Sequence, residues 1–116
     1  MLDEGTLPTA VLAGNDRCAL GLMDALDRAG IDVPGDVSIV GYDDSDLARL
    51  SRIDLTTVRQ NVDALAENAV AFAVTRLEDG SAPASELIVE PHLVVRGSTG
   101  PVRSAERVRA LKRRGL

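Results

Sequence analysis

Residues 9–42 pass from one short apolar run through a helical pattern into another, and that alternation constrains the fold most. "TAVLAG" (9–14) is apolar and β-branched, which suits a strand buried on both faces. It ends at "GND", where Asn15 or Asp16 can accept from the free N–H groups that open a helix. Over 16–29, Ala19, Leu22, Met23 and Leu26 share one helical face, with Asp24, Asp27 and Arg28 elsewhere. Gly30 is placed to end that helix, and Pro34 stops it from resuming. "DVSIVGY" (36–42) is then a second buried strand. Strand, helix and strand within about 35 residues make a βαβ unit, with parallel strands and a right-handed crossover.

Beyond it, "LTTVRQ" (55–60) reads as a short strand or extended crossing, and 61–78 as a second helix. Val62, Leu65, Ala66, Ala69, Phe72, Ala73 and Leu77 form the apolar stripe of that helix. "EDGSAPAS" (78–85) is a loop, and "ELIVE" and "HLVVRGS" are strand candidates interrupted by Pro91, which cannot donate to a ladder. With one Phe and one Tyr in 116 residues, the core must be built from Val, Leu, Ile and Ala. The chain has the size of one small α/β domain.

Charge is divided unevenly. Through Val102, seven Arg stand against 17 Asp and Glu, a net of −10; from Arg103 on, six Arg and Lys face one Glu, a net of +5. An acidic body argues against nucleic-acid binding by this part. We therefore divide the chain into a body, 1–102, and a basic tail, 103–116, expected to be solvated because Ala105, Val108 and Leu111 make only a weak helical stripe. No run approaches the ~18 apolar residues of a membrane span, and the first ten residues are acidic where a signal peptide is basic. A cytoplasmic location is the expectation. The single cysteine, Cys18, rules out an internal disulfide and reads as a buried, inert thiol; His92 reads as structural.

"GYDDSD" (41–46) invites a chemical reading. A metal site wants several oxygen ligands at loop spacing, and here neither a His nor a Cys pair lies near. Acid–base catalysis wants carboxylates poised around a second reactive group, which the sequence does not supply. Two readings stay open: Asp43 and Asp44 cap a helical turn over 45–51, or they grip a polar ligand. Ligands of open α/β sheets bind beyond the carboxyl ends of the strands. Both "GND" and "GYDD" sit there, so Asn15, Asp16, Tyr42 and Asp43 share one rim if the strands are parallel. Carboxylates and amides suit vicinal hydroxyls, as in a sugar or nucleoside. "AGNDRCALG" lacks both the G-x-G-x-x-G spacing and the phosphate-loop Lys.

Several separate stretches together resemble the LacI/GalR family of transcriptional regulators: "PTAV", "ND", "VPGDVS", "GYDD", "LTTVRQ" and "LVVRGST", spread over residues 2–99. The resemblance implies a three-layer αβα, parallel-sheet fold of the periplasmic-binding-protein-like type I, of which this would be an incomplete, C-terminal part. It implies a small-molecule effector, sugar-like, bound between two lobes by Asn15, Asp16, Tyr42 and Asp43, with Val62 and Leu65 lining the cleft. Asp44 and Asp46 would then cap and solvate the following turn. It implies a homodimer through Leu20 and Leu50, Ser51 and Arg52, and operator DNA bound only by a helix-turn-helix that precedes this sequence. The chain would cross between lobes near Arg59 and return near Glu90, so helix 61–77 would belong to the other lobe. No catalytic set, metal or cofactor is implied. The alternative is a periplasmic-type sugar-binding protein of a transport system, with the same fold.

Overall fold

The computed structural model describes residues 7–81, 83 and 86–115. Along the chain these form β1 (Ala10–Leu12), α1 (Asp16–Arg28), β2 (Ser38–Tyr42), a 3-10 turn (Asp46–Arg49), β3 (Thr56–Arg59), α2 (Val62–Glu78), β4 (His92–Val94) and α3 (Ala105–Arg113). The expected βαβ unit is present: β1 and β2 pair in parallel, with Val11 beside Ile39. Asn15 caps α1, its Oδ1 accepting from the Cys18 N–H at 2.8 Å. Gly30, at φ +65°, closes the other end, and Ile31 N–H reaches back to the Leu26 carbonyl. That left-handed position is one a side chain rarely adopts.

β3 adds in parallel to β2, and β4 runs antiparallel beside β3, with Leu93 opposite Val58. The sheet is therefore mixed. The chain leaves the sheet after Arg59 and returns at His92, which pairs with Arg59, so the returning strand has to run the other way. Ala19 and Leu26 of α1 bury Ile39, Leu55, Val37 and Ile31 on one face. Leu12, Val40, Val58 and Leu93 share the opposite face, Leu12 opposite Val40 and Val58 opposite Leu93. Leu12 and Leu93 are exposed, so β1 is not the buried strand its composition suggests, because no helix covers that face of it among the described residues.

α2 is the second helix expected from the sequence, capped by Asn61, and none of its residues is buried. Its stripe is open to solvent, and it projects from the body. The radius of gyration is 19.9 Å, where a compact chain of this length has about 13 Å.

Three further expectations are corrected. Residues 86–90 form no strand, since none of them is paired in a ladder with another strand among the described residues. Cys18 is exposed, because the buried side of α1 is centred on Asp16, Ala19 and Leu26, and Cys18 lies about 100° around the helix from Ala19, turned away from that side. The tail is not solvated. Leu111 is buried in the cluster with Leu7, Leu26 and Ile31. Arg107 grips the Asp36 carboxylate through Nε and Nη2, at 2.5 and 2.8 Å. Arg114 donates to the Ala29 and Gly30 carbonyls at the end of α1, where the helix dipole favours a cation. Of the expected loop 78–85, positions 82, 84 and 85 lie outside the described residues.

Candidate functional site

Because β1, β2 and β3 are parallel, the segments that follow them meet on one rim: Asn15, then Tyr42 and Asp43, then Gln60 to Val62. Asn15 spends its Oδ1 on the helix cap, and its Nδ2 has no partner among the described residues. Tyr42 is half-buried at the end of β2. Asp43 is exposed, with its N–H donating to the Val58 carbonyl at 2.9 Å and its Oδ1 accepting from Gln60 Nε2 at 3.2 Å. Its backbone sits at φ +113°, a region costly to a side-chain-bearing residue.

Asp16 is enclosed. Its carboxylate accepts from Thr57 Oγ1 at 2.6 Å and from the N–H and Oγ of Ser45 at 2.7 and 2.8 Å. Both oxygens are spent inside the fold, tying the β1–α1 turn to the segments after β2 and within β3. Gly41 makes room for this, since a Cβ there would strike the Asp16 carboxylate and the Leu55 side chain.

Asp44 does not cap the turn. Ser45 occupies the cap position, with no side-chain cap bond, while Asp46 lies exposed in the first turn. The Asp44 carboxylate is fully buried and is met by three arginines: Arg96 at 2.5 Å, Arg49 at 3.1 Å, and Arg59. Burial pushes its pKa up, and the hydrogen bonds and charges of Arg96 and Arg59 more than reverse this, leaving it below the ordinary carboxylate range. The separation explains the misreading, for Arg96 lies 52 residues away along the chain.

A concavity of about 510 Å³ opens where the chain leaves and re-enters the sheet. Asp43, Gln60 and Val62 line it together with Arg59, Glu90 and His92. It unites Asp43 with Val62 but not with Asn15, Tyr42 or Leu65, and Val62 and Leu65 are both exposed on the first turns of α2. Gln60 was missed from the sequence. Its signal was present, an amide at the carboxyl end of a strand that opens onto the same rim. A second concavity, about 640 Å³, lies across the body, where Leu20 and Arg52 meet with Met23, Asp24, Asp27 and Ile53. Leu50 and Ser51 are exposed beside it. Among the described residues no group of three or more His, Cys, Asp or Glu is placed to hold a metal ion, and no helix is long and apolar enough to cross a membrane.

The family model described as periplasmic binding protein-like domain matches residues 1–99. Over 91 residues the chain is 46% identical to the HTH-type transcriptional regulator MalR of Streptomyces coelicolor, covering 78% of this chain and 26% of that protein. A LacI transcriptional regulator from a Rhodococcus species superposes with TM-score 0.79 at 49% identity, over 85% of this chain and 36% of that one. A LacI family regulator from Enterococcus faecium, solved with bound ribose, superposes with TM-score 0.78 at 31% identity, over 84% and 37%. The chain thus spans well under half the length of the proteins it matches.

Proposed function

Because this chain belongs to the periplasmic binding protein-like domain family, in the form found in LacI-type transcriptional regulators, we propose that it is the C-terminal part of the effector-binding domain of such a regulator. The effector is a sugar or related polyhydroxy compound. Asp43 is its principal grip, with Gln60 beside it and the amide of Asn15 farther along the same rim, and Val62 and Leu65 supply an apolar wall. Asp16 holds the rim in place from inside. The observation that carries this reading is Asp43 itself: an exposed carboxylate at φ +113°, its N–H donating to Val58 and its Oδ1 accepting from Gln60, at the exit of a central strand and on the wall of a concavity. Strain of that kind persists where a fold is organised around a ligand.

Leu20, Leu50, Ser51 and Arg52 form the homodimer face, where Arg52 lines one groove with Asp24 and Asp27. Operator DNA is bound by a helix-turn-helix outside these residues, in the cytoplasm, and the protein is not an enzyme. The transport alternative has no support among the relatives named above, which are transcriptional regulators.

The test restores two lobes by joining residues 7–115 behind the preceding part of the Rhodococcus regulator. Calorimetric titration with ribose, glucose, maltose and cellobiose should show binding to at least one. Asp43→Ala should then weaken it about 10–100-fold, the loss of one charge-assisted hydrogen bond. No heat with any of the four, or unchanged affinity in Asp43→Ala, overturns the assignment.

A further inference from the structure

Two consecutive residues at the rim, Asp43 and Asp44, have φ of +113° and +52°. Neither is glycine, so something must hold them there. The Asp43 side chain has one weak partner, Gln60, and is exposed to water. The Asp44 side chain is fully buried and meets arginines from three different segments: Arg49 at the end of the 3-10 turn, Arg59 at the end of β3, and Arg96 just after β4. Arg96 is itself fixed, donating to the Leu55 carbonyl at 2.8 Å. The Asp44 N–H points to Thr57 Oγ1 at 3.4 Å, and that hydroxyl donates to Asp16.

We propose that Asp44 is the positioning residue of the effector grip: its arginine cluster locks the strained pair 43–44 and so holds the Asp43 carboxylate on the rim. Arg59 ends the strand through which the chain leaves the sheet, Arg96 follows the strand through which it re-enters, and Arg49 leads toward Leu50–Arg52. Asp44 therefore ties the grip to the crossing strands and to the dimer-face segment at one buried point. Without its anchor, 43 and 44 relax to negative φ and the Asp43 carboxylate swings off the rim. The inference rests on Asp43 being the grip, but the positional claim is tested without any effector.

The experiment is amide hydrogen exchange and HN–Hα scalar coupling on the ¹⁵N-labelled 116-residue chain. In Asp44→Asn, exchange at the Asp43 N–H, which donates to Val58, should accelerate about tenfold or more. Its coupling should move from the value of a positive φ to that of an ordinary one. The Ser38 N–H, bonded to the Thr9 carbonyl at the opposite end of β2, should keep its protection. Arg59→Gln removes a partly exposed partner without stranding a buried cation, and should give the same local pattern a few-fold weaker. It decides the matter if Asp44→Asn does not fold. Unchanged exchange at Asp43, or equal acceleration at Asp43 and Ser38, overturns the proposal. A failure of the effector reading would show instead as absent saccharide heats, with these local shifts intact.

Discussion

Truncating Leu111 to alanine tests whether the basic tail belongs to the fold. Leu111 is only 3% exposed and lies in the main core cluster with Leu7, Leu26 and Ile31. Leu→Ala at such a site costs about 2–5 kcal/mol, the transfer of the removed atoms plus the cavity they leave. A chain of this size has a whole stability of about 5–15 kcal/mol. Here the 17 residues of α2 bury no side chain, which places this chain toward the lower part of that range. Leu111→Ala should thus remove a third or more of the stability. With a urea dependence of about 1–3 kcal/mol per M, the unfolding midpoint should fall by roughly 1–2 M. Leu77→Ala is the matched control, since Leu77 is 85% exposed and its truncation should leave the midpoint in place. Circular dichroism at 222 nm across a urea series reads both. Equal midpoints for the two variants would mean that α3 is not docked in solution, and the solvated tail expected from the sequence would be right after all.

Two further outcomes follow from the carboxylates. For Asp36 the Arg107 hydrogen bond outweighs burial, and for Asp44 burial is outweighed by Arg96 and Arg59, so both folded-state pKa values lie below the ordinary 3.8. A lowered carboxylate contributes stability that is fully present above its unfolded pKa and lost as pH falls through the folded one. The urea midpoint should therefore hold steady from neutral pH down to about 5 and drop below about 4, a fall that Asp36→Asn should blunt; a midpoint insensitive to that replacement speaks against it. Asp43→Gly should raise stability by about 1 kcal/mol, because glycine occupies φ +113° without strain, while it abolishes the carboxylate grip. A destabilised Asp43→Gly chain in the same urea assay would show that the position is not strained.

Local chemistry determined much of this protein. The apolar runs before Asn15 and Asp43, the cap at Asn15, the left-handed Gly30 and the apolar period of α2 are each encoded within a few residues. Each could be read without knowing where the rest of the chain goes. The rim was legible for a related reason, since a βαβ unit forces the ends of its strands to the same side. What tertiary structure decided are the tasks of charged groups whose partners are remote. Asp36 and Arg107 are 71 residues apart, and Asp44 and Arg96 are 52 apart. In the sequence Asp44 is one of three similar carboxylates; in the fold it is buried among arginines while Asp43 beside it faces water. Residues 86–90 are the converse, an apolar run suited to a strand that pairs with no strand among the described residues. Propensity is a local property, whereas burial, ion pairing and ladder formation depend on which distant segment arrives alongside.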